Sequence, residues 1–89
     1  MIYRIMKKLL YFFTASYCSS CRAIKPIVEK EAPEAGYELK FMDMDTDEGI
    51  DMAEKFGVRS LPTLVVVDED GNEIKRAVGN TAWKEINEK

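Results

Sequence analysis

The sequence predicts an α/β domain built on a mixed four-stranded sheet, with the element order β-α-β-α-β-β-α and helices on both faces of the sheet. Two runs of apolar residues, 9–14 and 63–67, have the composition of strands that are covered on both sides. Helical periodicity follows the first run, which predicts a right-handed βαβ unit. The turn signal Asp70-Gly71 joins the second run to another strand. The length of 89 residues fits a single domain over residues 1–89.

The first helix is predicted over residues 19–31, because apolar side chains recur there at helical spacing. The stripe that they form consists of Cys21, Ile24 and Val28, with Ile27 beside them. Pro26 lies inside the segment and should kink the helix. Pro33 and Gly36 are expected to end it.

A strand over residues 37–41 is predicted from the alternation of apolar and charged side chains. Asp45 is the expected cap of the second helix, and Gly57 is the expected stop. The apolar side of that helix is predicted to consist of Ile50, Ala53 and Phe56.

The last strand and the last helix follow the Asp-Gly turn. A strand is predicted over residues 74–78, in which Ile74, Arg76 and Val78 alternate with Lys75 and Ala77. Asn80 or Thr81 can cap a short helix in which Trp83 and Ile86 pack against the sheet at a spacing of three residues.

Charge and hydropathy exclude two classes of partner. The net charge is −3 and the basic residues are scattered, whereas a nucleic-acid-binding protein clusters them on one face. Lys7-Lys8 and Arg59 are therefore interpreted as solvated charges. No run approaches the ~20 apolar residues of a membrane span. We predict neither a nucleic-acid nor a membrane partner.

The apolar run after Lys7-Lys8 resembles the core of a short signal peptide. The run is at the lower limit of length for such a core, and Tyr17 is too large for the residue before a cleavage site. We therefore predict a cytoplasmic protein.

The chain has two cysteines and no histidine. Structural zinc needs about four Cys or His ligands, and Arg22 follows the second cysteine where haem attachment needs histidine. Small secreted domains held by disulfides carry more cysteines. We predict no metal and no bound cofactor.

The two cysteines form the motif Cys18-Ser19-Ser20-Cys21, where a buried strand turns into a helix. A helix start offers unpaired N–H groups and a positive dipole end, and both favour a thiolate. Lowering the pKa of a thiol from about 8.5 to about 7 raises its ionised fraction at pH 7 from about 3% to half. Cys18, at the cap, is predicted to be exposed and to attack a substrate disulfide. Cys21, on the buried stripe, is predicted to resolve the mixed disulfide.

At these residues the sequence resembles the thioredoxin family. Tyr17 and the cysteine motif are similar to the aromatic-Cys-x-x-Cys active site, and Pro26 is similar to the proline that kinks the active-site helix. Residues 57–63 resemble the segment with the family's cis-proline, here Pro62, and Val78-Gly79 resembles the rim of the substrate groove. The resemblance covers about residues 9–79.

The resemblance implies a minimal, glutaredoxin-sized thioredoxin fold and a monomeric protein-disulfide reductase. It implies a cis bond before Pro62 and a substrate surface formed by Tyr17, Leu61, Pro62, Val78 and Gly79. The implied partners are proteins that contain disulfides, and a thioredoxin-reductase-like enzyme or a small thiol that recharges the cysteine pair.

Three departures from the family's pattern are visible. Only residues 1–6 precede the central strand, whereas typical thioredoxins begin with an extra strand and helix. Phe12 stands where the family has a buried aspartate, which is thought to take the proton of the buried cysteine. The proton acceptor for Cys21 is therefore unidentified. Tyr17 and Ser19-Ser20 replace a tryptophan and a Gly-Pro pair, which leaves the reduction potential open.

Three alternatives remain. A glutaredoxin-like reductant would show Thr-Val-Pro and a Gly-Gly pair, but the chain has Ser60-Leu61-Pro62 and Gly79 followed by Asn80, so protein disulfides are favoured over glutathione. A disulfide-forming oxidant would have a reduction potential well above about −200 mV. A non-catalytic binding module would keep its function without the cysteines.

Overall fold

The computed structural model describes residues 8–88. Its elements are β1 Lys8–Thr14, α1 Ser19–Glu34, β2 Tyr37–Asp43, α2 Asp47–Phe56, β3 Thr63–Val67, β4 Glu73–Val78 and α3 Ala82–Asn87. The predicted order β-α-β-α-β-β-α is confirmed. Residues 1–7, which include Lys7 and the short segment before the central strand, lie outside the described residues.

The four strands form one mixed sheet in the order β2-β1-β3-β4. Strand β1 pairs in parallel with β2 and antiparallel with β3, and β4 pairs antiparallel with β3. The pairing of Phe13 with Thr63 brings the end of β1 beside the beginning of β3. The loop into α1 and the loop before β3 therefore meet at one end of the sheet.

Helices cover both faces of the sheet, as predicted. On one face, α1 and α3 pack on buried residues of β1 and β3 such as Leu10, Phe12 and Leu64. On the other face, α2 packs on Phe13 and Val65. Strand β3 is buried along its whole length, which explains its β-branched composition. We refer to the core under α1 and α3 as the α1 core.

Helix α1 is longer than predicted. Pro26 lies inside it as expected, and the kink at this residue stays a prediction. The expected stop at Pro33 is wrong, because the helix runs to Glu34. Ala32 is fully buried in the α1 core, and this packing holds the last turn although Pro33 lacks an N–H group. The chain then leaves the helix through Gly36, whose φ of 94° suits glycine.

The predicted cap of α2 is wrong by one residue. Thr46 is the cap, and its hydroxyl accepts the N–H of Gly49 at 3.1 Å. Asp45 instead accepts a hydrogen bond from a distant loop. Gly57 ends the helix as predicted, in the left-handed conformation with a φ of 66°.

The apolar side of α2 is also shifted. Ala53 is buried, but Ile50 is 40% exposed, which contradicts its predicted place on the buried side. Gly49 lies on the buried side of α2 instead. Only glycine fits at this position, because a Cβ atom on residue 49 would collide with the backbone of Asp43. The close approach of α2 to the end of β2 turns Ile50 toward solvent.

The carboxyl-terminal part follows the predictions. Asp70-Gly71 forms the turn before β4, and Gly71 has a φ of 84°. Thr81 is the residue at the cap of α3, although its side chain makes no capping hydrogen bond. Trp83 and Ile86 are buried in the α1 core, so the predicted packing role of Trp83 is confirmed.

Candidate redox site

Cys18 lies at the cap of α1, where the chain leaves β1 and enters the helix. Its backbone is extended, with φ −100° and ψ 102°, and its N–H donates to the carbonyl of Ala15 at 3.1 Å. The sulfur of Cys18 accepts the backbone N–H of Cys21 at 3.1 Å. Cys18 therefore takes the role that Ser, Thr or Asp usually has at a helix cap. The predicted cap position is confirmed.

Cys18 and Cys21 form a disulfide bond, with their Cα atoms 5.3 Å apart. Cys21 is fully buried in the α1 core, as its place on the apolar stripe predicts. The predicted exposure of Cys18 is wrong, because this residue is only 9% exposed. Its sulfur is bonded to a buried sulfur and is turned toward the helix, so little of the side chain faces water in this oxidised form.

The exposed part of Cys18 opens into a surface pocket, which we call the Cys18 pocket. It is lined by Tyr17, Cys18, Ser19, Ser20, Arg59 and Leu61. Tyr17 is 74% exposed, an unusual exposure for a large aromatic side chain. Two of the predicted substrate-binding residues, Tyr17 and Leu61, thus line the same pocket as the cysteine that is predicted to attack.

The other three predicted substrate-binding residues lie next to this pocket but do not line it. The Leu61–Pro62 peptide bond is cis, as the resemblance implies, and the Pro62 side chain is less than 2% exposed. The N–H of Gly79 donates to the carbonyl of Pro62 at 2.9 Å. Val78 is 47% exposed and pairs with Thr63 at the beginning of β3.

Arg59 is the residue of this pocket that the sequence analysis missed. The sequence predicts a solvated charge, and Arg59 is indeed exposed, but it lines the same pocket as Cys18. Its position two residues before Leu61 is the signal that could have identified it, because the loop that brings Leu61 to the cysteines also carries Arg59. Among residues 8–88, this cation and no carboxylate line the pocket.

Charged side chains hold the loop between β1 and α1. The N–H of Ser16 donates to a carboxylate oxygen of Asp45 at 2.9 Å. The Arg22 guanidinium donates to the carbonyl oxygen of Ser16 at 2.8 Å. The hydrogen bond from the Ser16 backbone holds the pKa of Asp45 below its ordinary value, since it stabilises the charged carboxylate.

The surroundings of Cys21 are apolar. Phe12, which occupies the position of the family's buried aspartate, is fully buried in the same core. Within residues 8–88, Thr63 is the only buried polar or charged residue. This part of the chain therefore offers Cys21 no buried carboxylate as a proton acceptor.

Residues 8–88 contain no group of three or more His, Cys, Asp and Glu side chains placed to hold a metal ion. None of the helices in this part of the chain combines the length and apolar character needed to cross a bilayer.

Comparison with known proteins assigns the chain to a family. A family model described as Thioredoxin matches residues 2–89. The thioredoxin of Listeria monocytogenes is 36% identical over 76 residues, which are 85% of this chain and 73% of that protein. The thioredoxin of Bacillus subtilis is 40% identical over 67 residues, which are 75% of this chain and 64% of that protein.

A solved structure agrees with this assignment. The thioredoxin of Fasciola hepatica aligns with a TM-score of 0.77 and 32% identity, over 90% of this chain and 75% of that one. Thioredoxins use a redox-active disulfide rather than a prosthetic group, and they act on proteins with disulfides and are recharged by a reductase. The chain belongs to the thioredoxin family, and it is a thiol–disulfide oxidoreductase that works through Cys18 and Cys21.

Proposed function

We propose that the protein reduces disulfides of other proteins, with Cys18 as the nucleophile and Cys21 as the resolving residue. The Cys18 thiolate attacks one sulfur of the substrate disulfide, and the other sulfur leaves as a thiolate and takes up a proton. Cys21 then loses its proton and attacks the sulfur of Cys18. The second substrate sulfur leaves, and two electrons have passed from the cysteine pair to the substrate.

The difference between the two cysteines is the observation that carries this assignment of roles. Cys18 accepts a backbone N–H at the cap of α1 and borders an open pocket. Cys21 is fully buried behind it. A hydrogen bond to sulfur and the positive end of the helix both favour the thiolate at Cys18. We expect an external disulfide to reach Cys18, which lines the pocket, and not Cys21, which is buried.

The proposed substrate surface consists of Tyr17, Leu61, Pro62, Val78 and Gly79. Tyr17 and Leu61 line the same pocket as Cys18, and exposed Val78 extends the surface along β4. An extended segment of the substrate would pair with the backbone of Leu61 as an added strand. Because the ring of Pro62 is buried, its proposed contribution is to orient Leu61 rather than to contact the substrate.

The remaining properties follow from this role. We propose that the chain acts as one monomeric domain in the cytoplasm, where a cysteine pair is kept reduced. A thioredoxin-reductase-like enzyme or a small thiol would recharge the pair, and no bound cofactor is required.

A glutathione-using, glutaredoxin-like reductant is the second candidate, and Arg59 is the observation that favours it. The guanidinium borders the Cys18 pocket and is suited to a carboxylate of glutathione. This candidate predicts fast reduction of glutathione mixed disulfides and slow reduction of disulfide-bonded proteins. The leading proposal predicts the opposite order of rates.

Trapping of mixed disulfides tests the roles of the two cysteines. The Cys21→Ser variant, reduced and mixed with a disulfide-bonded protein, should accumulate a covalent complex through Cys18. The matched Cys18→Ser variant should accumulate none, because its remaining thiol is buried. Equal trapping by both variants, or trapping by Cys18→Ser alone, would contradict the assignment.

A further inference from the structure

One peptide segment next to the reactive cysteine is held on both sides by charged side chains. Ser16 donates its N–H to Asp45 and accepts the Arg22 guanidinium at its carbonyl, with distances of 2.9 and 2.8 Å. Hydrogen bonds in which one partner is charged are roughly twice as strong as neutral ones. We call Asp45 and Arg22 the Ser16 clamp.

The two members of the clamp come from different parts of the chain. Asp45 lies between β2 and α2 and is 29 residues from Ser16 in sequence. Its own backbone N–H donates to the side chain of Asp43 at 2.8 Å, which fixes the loop that carries it. Arg22 lies on α1, directly after Cys21. The clamp therefore ties the β1–α1 loop both to the edge of the sheet and to the first turns of the helix.

The held segment leads directly into the cap of α1. Ser16 lies two residues before Cys18, and the N–H of Cys18 donates to Ala15, on the other side of Ser16. The direction in which the chain enters the cap sets the position of the Cys18 sulfur relative to the N–H of Cys21. It also sets the position of Tyr17, whose side chain lies in solvent at the mouth of the pocket.

We propose that Asp45 and Arg22 are positioning residues for the redox reaction: by holding Ser16 from both sides, they fix Cys18 at the edge of the pocket, where its sulfur accepts the helix N–H. The inference rests on the proposed role of Cys18 as the nucleophile. Neither residue lines the Cys18 pocket, so both act through the backbone of the loop.

The charge on Asp45 is constant in the pH range in which thiols titrate. The Ser16 backbone hydrogen bond lowers the pKa of Asp45 from an ordinary value of 3.8. A carboxylate whose pKa is lowered in the folded state stabilises the fold at every pH above its unfolded pKa. This stabilisation is lost only as the pH falls through the pKa of the folded state. Any change in a pH profile above pH 5 therefore reports on the cysteine and not on the titration of the clamp.

Alkylation of the reduced protein by iodoacetamide, followed over pH, is the direct test. Asp45→Ala and Arg22→Ala should lower the rate constant at pH 7 by about tenfold, because misplaced reacting atoms lose reactivity. Both variants should also raise the midpoint of the pH profile, because a misplaced Cys18 sulfur loses the helix N–H that favours its thiolate. Asp45→Asn keeps an acceptor for the Ser16 N–H and should restore the rate to within about twofold. The double variant should lose less than the product of the single losses, since both residues hold one peptide segment.

Two variants serve as matched controls. Asp68 also accepts backbone N–H groups, from Asp70 and Asn72, but at the opposite end of the sheet. Lys25 places a positive charge one turn beyond Arg22, over the ring of Phe41. Asp68→Ala and Lys25→Ala should leave the alkylation profile unchanged.

The proposal is overturned if Asp45→Ala and Arg22→Ala change only the melting temperature. It is also overturned if Asp45→Asn is as impaired as Asp45→Ala, or if Lys25→Ala matches Arg22→Ala, because the effect would then be one of charge alone. Alkylation needs no protein substrate, so the clamp is tested even if the wild-type protein fails to reduce proteins. That failure would count against the proposed function only.

Discussion

The two longer helices begin in opposite ways. Helix α1 has a cysteine at its cap, whose sulfur accepts an N–H, and no acidic residue in its first turn. Helix α2 has Thr46 at its cap, and Asp47 and Glu48 follow in its first turn. Threonine and acidic residues are common at helix starts, because they satisfy the free N–H groups and offset the dipole.

The difference indicates which helix start is suited to a reactive side chain and which is suited to helix stability. At α2 two carboxylates, Asp47 and Glu48, offset the positive end of the helix dipole, and they stabilise the helix. At α1 the positive end is left to a sulfur that, in the proposed reaction, is charged once the disulfide is reduced. Ser19 and Ser20 are small, neutral and exposed, and they add no competing charge. The start of α1 therefore gives up some helix stability in favour of the thiolate.

The largest expected effect comes from replacing the cap residue of α1. Cys18→Ser should lower the rate of disulfide reduction by more than about a thousandfold, because the nucleophile is lost. Serine is a good cap, so the free energy of unfolding, compared with the reduced wild-type protein, should change little. Reduction assays and urea unfolding measure the two quantities. Retained activity in this variant would refute the role of Cys18.

A smaller effect is expected when α1 is given the acidic first turn of α2. Ser20→Glu should raise the pH midpoint of Cys18 alkylation by about half a unit, because the carboxylate offsets the dipole by about 0.3–1 kcal/mol. The rate at pH 7 should fall by roughly threefold. The neutral Ser20→Gln variant is the control, and an equal shift in both variants would contradict the electrostatic explanation.

The smallest effect on activity is expected at the start of α2. Thr46→Ala should reduce the free energy of unfolding by about 1 kcal/mol, because the hydrogen bond to Gly49 is lost. The alkylation profile of Cys18 should stay the same. Denaturant unfolding checks the first expectation. A shift of that profile would mean that the two helix starts are coupled and that the comparison does not hold.

Most of the fold follows from local sequence patterns. The apolar runs of β1 and β3 and the turn at Asp70-Gly71 predict the element order, because each of these signals lies within a few neighbouring residues. The end of α1 and the cap of α2 could not be predicted in this way. Buried Ala32 carries α1 through Pro33, and Asp45 is drawn away from α2 by Ser16. Both outcomes depend on contacts between distant parts of the chain.

In the candidate site, too, some features follow from the local sequence and others depend on contacts between distant residues. The cysteine motif and its place at a helix start can be recognised from spacing, and the burial of Cys21 follows from the apolar stripe. The low exposure of Cys18 could not be predicted, because it results from the bond to the buried sulfur. Arg59 and the Ser16 clamp were missed for another reason: exposed charges show no pattern in a sequence until the loops that carry them are placed.

The central claim is that the start of α1 stabilises a thiolate at Cys18. The most direct measurement is the pH dependence of iodoacetamide alkylation of the reduced protein, with Cys21→Ser to assign the signal to Cys18. We expect a midpoint below the value of about 8.5 for a free thiol. A midpoint at or above that value, or faster alkylation of Cys21 than of Cys18 in the folded protein, would contradict the claim.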